Sequence, residues 1–196
     1  MYFSLSQVLR MCYNCAMNSY DRIYEVVIGN YGIITSSRAK EMGISNATLV
    51  QLALRGRLER LGYGVYRIDK YVPNAEGLDA YACAVARVGD GAFLWGPSVL
   101  ALHHLCPTNP SRIYVASSRR CRAKLPTGIV VKAVSEVGTV ENYEGIPIQN
   151  VREAILASQH IIMLNRLLDA VEVAKEKNLI SALDGERIIK ELYKND

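Results

Sequence analysis

The stretch GISNATLVQLALRGRLERLGYGVYRI, residues 43–68, carries Arg55, Arg57, Arg60 and Arg67 among four glycines and two tyrosines. An arginine guanidinium is permanently charged, planar and forked, which matches the oxygens of a phosphate. Residues 31–70 hold seven Lys/Arg and three Asp/Glu, a net of +4 that equals the net charge of the whole 196-residue chain. A basic segment in an otherwise balanced chain favours an anionic partner, nucleic acid first. A solvated surface hairpin would not need such a concentration of arginine.

Such side chains need a frame, and the flanking residues suggest one. Before the arginines, Ile23, Val26 and Val27 share a helical face, and Gly29 with Gly32 ends that pattern. ITSSRAKEMG then reads as a short helix capped by Ser36 or Ser37 and closed at Gly43. Ser45 or Asn46 caps a second helix, with Leu49 and Leu52 inside and Gly56 at its end. Ala39, Gly43, Leu49 and Leu52 stand at relative positions 0, +4, +10 and +13. A helix-turn-helix needs this set: a small residue for close approach, a glycine for the turn, and two apolar anchors. An ordinary helical hairpin in a core would show the same spacing. LERLGYGVYRI, with apolar runs on both sides of Gly62-Tyr63-Gly64, reads as a β-hairpin. A helix-turn-helix followed by a hairpin is a winged helix.

Roles follow from that frame. Ser45, Asn46, Thr48 and Gln51 lie on the N-terminal part of the second helix. Their short hydrogen-bonding groups suit base edges, Asn and Gln those of adenine above all. Arg55, Arg57, Arg60, Arg67 and the Tyr63 tip, with Ser36, Ser37, Arg38 and Lys40, are expected to meet the DNA backbone and set register. For each exposed arginine, plain solubility is the competing explanation. SSRRCRAK supplies a second basic surface, Arg119, Arg120, Arg122 and Lys124, after the β-branched run RIYVA. It reads equally as a second nucleic-acid or partner contact and as a solvated loop.

The rest of the chain sets the organisation. The fold class expected is α+β: an N-terminal winged helix-turn-helix, then a mixed α/β C-terminal domain ending in helices. The divisions are an extension over 1–17, the DNA-binding domain over 18–70, a linker over 71–77 (YVPNAEG) and the C-terminal domain over 78–196. Towards the end, Asn150 and Glu153 have capping-box spacing. Leu164, Leu167, Leu168 and Val171 form a helical stripe, and Ser181 and Asp184 open a last helix carrying Ile188, Ile189 and Leu192. From Asp169 onward there are seven acidic and five basic residues, so this end suits a core or a partner surface rather than DNA.

Several chemistries are excluded. No Glu stands two residues before a Lys as in one nuclease pattern, and no G-x-x-x-x-G-K-[ST] loop or G-x-S-x-G elbow occurs, so no catalytic site is expected. His103, His104 and Cys106 lack a second ligand pair, and the Cys12–Cys15 C-x-x-C stands alone. No metal and no cofactor is expected. A histidine at a helix end packed on a core, and Trp95 as a core anchor, are the simpler expectations. The five cysteines are odd in number and scattered, as in a reducing cytoplasm. No apolar run nears a membrane span, and the N-terminal stretch lacks the layout of a signal peptide.

Three stretches together resemble the AbiEi-type antitoxins of bacterial type IV toxin–antitoxin (abortive infection) systems. They are YGIITSSRAKEMGISNATLVQLALRGRLERLGYGVYRID, AFLWGPSVLALHHLCPTNPSRIYVASSRRCR and YEGIPIQNVREAILAS. The likeness covers most of residues 18–159 and leaves 1–17 outside. It implies a two-domain cytoplasmic repressor in phage defence, whose winged helix binds inverted repeats in its own promoter. It also implies that the C-terminal domain counteracts a nucleotidyltransferase-type toxin, by contact or indirectly. Inverted repeats pair with two copies on half-sites about one helical turn apart, which a monomer or weak dimer satisfies. The alternative is a protein-interaction module whose winged helix contacts a protein rather than DNA.

Overall fold

A computed structural model describes residues 18–73, 77–107 and 111–194. The Cys12–Cys15 pair and the extension over 1–17 lie outside the described residues. The chain divides into two compact units at residues 75/76.

The first unit opens with helix α1 (Ser19–Val27), capped by Asn18, whose side chain accepts from the Tyr20 and Asp21 amides at 3.0 Å. Tyr20, Ile23 and Val27 face inward, whereas Val26, expected inside, is 43 % exposed. It sits about 100° around the helix from its neighbour Val27, and Tyr20 takes the inner turn instead. Strand β1 (Ile33–Thr35) runs straight into helix α2 (Ser36–Glu41). The cap of α2 is therefore Thr35, not Ser36 or Ser37: it keeps an extended backbone, and its hydroxyl accepts from the Arg38 amide.

The turn to helix α3 (Asn46–Leu54) is built by Gly43 at φ +73. Gly43 N–H bonds the Lys40 carbonyl at 2.9 Å and Ile44 N–H bonds the Ala39 carbonyl at 2.8 Å. These two bonds make a Schellman closure, which needs a left-handed residue at that point. The same device ends α3: Gly56 bonds Ala53 at 3.0 Å, and Arg57 bonds Leu52 at 2.9 Å. Arg22 reaches across to the Met42 carbonyl at 2.5 Å, placing a cation at the C-terminal end of α2.

Strands β2 (Leu58–Gly62) and β3 (Val65–Ile68) form a hairpin around Tyr63-Gly64, and the sheet order is β1-β3-β2, all antiparallel. Ile23, Ile34, Ala39, Leu49, Leu58, Tyr66 and Ile68 make the core. Tyr71, read as the first linker residue, packs against this core instead.

The second unit is a five-stranded mixed sheet with helices. Its elements are α4 (Leu78–Val88), β4 (Phe93–Leu94), α5 (Pro97–Leu102), β5 (Ile113–Ser117), β6 (Ile129–Ala133), β7 (Val140–Tyr143), β8 (Ile146–Gln149), α6 (Val151–Ala157), α7 (Leu164–Glu176) and α8 (Ala182–Lys194). The strand order is β6-β5-β4-β8-β7, with β5–β6 and β4–β8 parallel. The two-residue β4 lies at its centre, with Leu94 fully buried. Trp95 is buried beside Phe93 and Ala116, as a core anchor should be. Ser98 Oγ accepts the Tyr114 amide at 2.7 Å and ties α5 to β5.

The Asn150–Glu153 capping box does not close. Asn150 caps α6 through the Arg152 amide, but Glu153 accepts from the Thr139 amide at 3.2 Å. The Asn150 amide bonds the Thr139 carbonyl, so a loop fills the place of the reciprocal bond. At the C-terminal end Ser181 caps α8 through the Asp184 amide. Gly185 lets α7 and α8 approach: a Cβ there would stand 2.7 Å from Lys175 Cδ. His103 ends α5, with its ring edge-on to Tyr143 at 4.8 Å. Burial, and then the nearby Lys177 charge, lower its pKa.

Candidate nucleic-acid interface

The exposed side of α3 is the natural starting point. Asn46, Ala47, Val50, Gln51 and Leu54 are all exposed, and Leu49 beneath them is fully buried. At 3.6 residues per turn these five occupy one arc of about 140°. Asn46 and Gln51, read from the sequence as base contacts, are on this face. Ala47, Val50 and Leu54 were not anticipated there. The signal existed: with Leu49 as an inward anchor, helical phase turns Val50 outward.

Ser45 and Thr48 are linked at the helix cap. Ser45 Oγ accepts from the Thr48 amide at 3.1 Å, and the two hydroxyls are 2.9 Å apart. The Ser45 hydroxyl thus caps the helix, and the Thr48 hydroxyl lies against it. Replacing Ser45 with alanine is expected to lower stability by about 1 kcal/mol while leaving any DNA sequence preference unchanged. Chemical denaturation and a binding-site comparison would check the two halves.

Among the α2 residues, Ser37, Arg38 and Lys40 are exposed and Ser36 is partly covered. Arg38 pairs with Glu41 at 2.7 Å, both well exposed, so the contact is loosely held. Ser36 N–H donates to the Gly64 carbonyl at 2.7 Å, and Gly64 has φ +68. This bond fastens the hairpin turn to the start of α2, and Ser36 acts through its backbone.

The arginines divide into two kinds. Arg55 and Arg60 are exposed, Arg60 donating from Nε to the Gly62 carbonyl at 3.3 Å within its own hairpin, and Tyr63 at the tip is 84 % exposed. Arg57 is exposed as well, its side chain at 45 %, but its guanidinium is engaged by the fold. Its guanidinium lies 4.0 Å over the Tyr20 ring, and its Nε is 4.0 Å from Asp69. Tyr20 in turn donates its hydroxyl to Asp69. Burial first, and then that hydrogen bond, raise the Tyr20 pKa, so the phenol keeps its proton. Arg67 lies on the sheet with its guanidinium 5.5 Å over the Tyr71 ring. Arg57 and Arg67 are therefore partly committed to the fold.

Arg119, Arg120, Arg122 and Lys124 belong to the second unit, on the exposed loop after β5, where Ser117 Oγ accepts the Arg119 amide at 3.1 Å. Cys83, Cys106 and Cys121 form no disulfide among the described residues. Among the described residues, no group of three His, Cys, Asp or Glu side chains gathers as metal ligands would. No helix of the described residues is long and apolar enough to cross a membrane.

Residues 21–68 match the family described as "Transcriptional regulator, AbiEi antitoxin". The match runs from within α1 to the end of β3 and covers 48 of 196 residues, about a quarter of the chain. Over that segment the chain is similar to the AbiEi antitoxin family of transcriptional regulators, the family the sequence resembles. No curated protein matches the chain.

Proposed function

We propose that the chain is a DNA-binding antitoxin that represses its own type IV toxin–antitoxin operon. The observation that carries this reading is a coincidence of extent. The matched segment 21–68 spans the α2–turn–α3 pair, the basic hairpin and the core that holds them together. On this reading the first unit is a winged helix-turn-helix. α3 enters the major groove, the β2–β3 hairpin is the wing, and Lys40, Arg38, Arg55, Arg60 and Tyr63 meet the backbone. Two copies on inverted half-sites would suffice, without a stable dimer in solution.

The second unit is the antitoxin half on this proposal. It would oppose a nucleotidyltransferase-type toxin in the cytoplasm, directly or through the toxin's target. Its basic loop, Arg119 to Lys124, offers an anionic contact of its own. One observation favours the rival reading of a protein-binding module: Val50 and Leu54 expose apolar surface on α3.

The test is binding of the purified chain to the DNA upstream of its own gene and to scrambled DNA, across a salt series. Expected is tighter binding to the upstream DNA and a log–log salt slope of roughly −0.9 per phosphate neutralised. Equal binding to both DNAs would sink the repressor reading and leave the protein-binding one standing.

A further inference from the structure

Helix α3 contains no charged residue: its sequence is NATLVQLAL. Its exposed arc presents two amides, Asn46 and Gln51, and three apolar side chains, Ala47, Val50 and Leu54. The cations stand around it, with Arg38 and Lys40 on α2, Arg55 at its C-terminal end and Arg60 in the hairpin. The commonest contact to guanine in the major groove is a bidentate Arg or Lys on O6 and N7. This helix has neither to offer. Asn and Gln pair with adenine N6 and N7, and apolar side chains meet the C5 methyl of thymine. The same exposed apolar groups would be a liability on a helix facing only water.

Resting on the DNA-binding reading above, we infer that α3 reads A·T base pairs, burying thymine methyl groups against Val50 and Leu54 while Asn46 and Gln51 engage adenine. The ligand is therefore major-groove DNA whose half-site core is rich in A·T. The surrounding cations supply the complementary charge for its phosphates and little of the discrimination. Specificity lies in the methyl and amide contacts.

The experiment starts from a pool of random duplex DNA, enriched with the full-length protein. The selected duplex is then compared with a copy in which deoxyuridine replaces thymidine, which removes only the methyl groups. Expected is A·T at the core positions and a loss of about fourfold in affinity per contacted methyl, at the usual worth of a buried methylene-sized group. Val50→Ala and Leu54→Ala, both at exposed positions, should narrow the thymine-over-uracil difference without lowering Tm. Enrichment of G·C at the core, or equal binding of the thymine and uracil duplexes, would overturn the inference and leave the regulator reading intact. Full thymine-over-uracil preference in both variants would also overturn it and return the apolar stripe to a protein partner. A pool that shows no enrichment at all would instead count against the regulator reading, and the inference would fall with it.

Discussion

Replacing Arg60 with alanine should weaken DNA binding about tenfold at physiological salt and take close to one unit from the salt slope, while Tm stays unchanged. A charge-assisted contact to phosphate is worth about 1.5–3 kcal/mol, and one phosphate contact contributes roughly 0.9 to the slope. Arg60 is exposed, and its hydrogen bond to the Gly62 carbonyl is a long one within the hairpin, so the fold loses little. Arg57→Ala should give the opposite pattern, although it lies only three residues away. Its guanidinium stacks on Tyr20 at 4.0 Å, and its Nε sits 4.0 Å from Asp69. The cation–π contact contributes about 0.5–2 kcal/mol, and the partly exposed ion pair adds less. Loss of both should lower Tm by several degrees in so small a unit. The salt slope should fall by less than for Arg60, because Asp69 already neutralises part of the charge. Titrations of both variants over a salt series, with thermal melts of each, decide the matter. Equal slopes for the two variants, with equal Tm, would show that Arg57 is as free as Arg60 and that the division of arginines is wrong.

That contrast marks where the sequence is readable. Gly43 and Gly56 announce the two helix ends because a Schellman closure is local chemistry, needing only a left-handed residue at a fixed offset. Ala39 and Leu49 are legible as core because helical phase is local too. Arg57 is different. Its partners Tyr20 and Asp69 lie 49 residues apart in sequence and meet through tertiary structure alone. The cap of α2 sits in a run of three hydroxyl residues, Thr35, Ser36 and Ser37, and is decided by where β1 stops pairing with β3. In the second unit, a mixed α and β content was legible. The order β6-β5-β4-β8-β7 was not, because its central strand has two residues and carries no period. Reading α3 by polarity alone leaves Val50 and Leu54 without a role. Val50 and Leu54 look like core side chains by type, and only their phase relative to Leu49 shows them outside.

Tyr71 shows the same limit at a domain edge, and it leads to the largest expected loss of stability. Followed by Val, Pro and Asn, it reads as the start of a linker, yet its ring folds back over Gly32. Gly32 has φ +64, and a Cβ there would stand 2.7–2.8 Å from Tyr71 Cγ, Cβ and Cδ2. Neither side can give way easily. Gly32 N–H bonds the Val27 carbonyl at 2.9 Å, and the Gly32 carbonyl accepts the Ile68 amide at 3.0 Å. The Tyr71 ring is meanwhile covered by Arg67. Gly32→Ala should therefore combine left-handed strain of about 1–3 kcal/mol with overpacking of similar size. Together they are enough to unfold a marginal unit near physiological temperature. Gly29→Ala, three residues earlier, is the control: nothing lies within 4 Å of its added Cβ, and its φ is not positive. It should be neutral or stabilising by about 0.5 kcal/mol. Tyr71→Ala should cost stability by itself but make Gly32→Ala cheaper in its presence, since contacting sites are not additive. Thermal melts of the four variants measure all of this. Equal Tm for the Gly29 and Gly32 variants, or strict additivity with Tyr71→Ala, would mean that Tyr71 does not close over Gly32 and that the first unit ends before it.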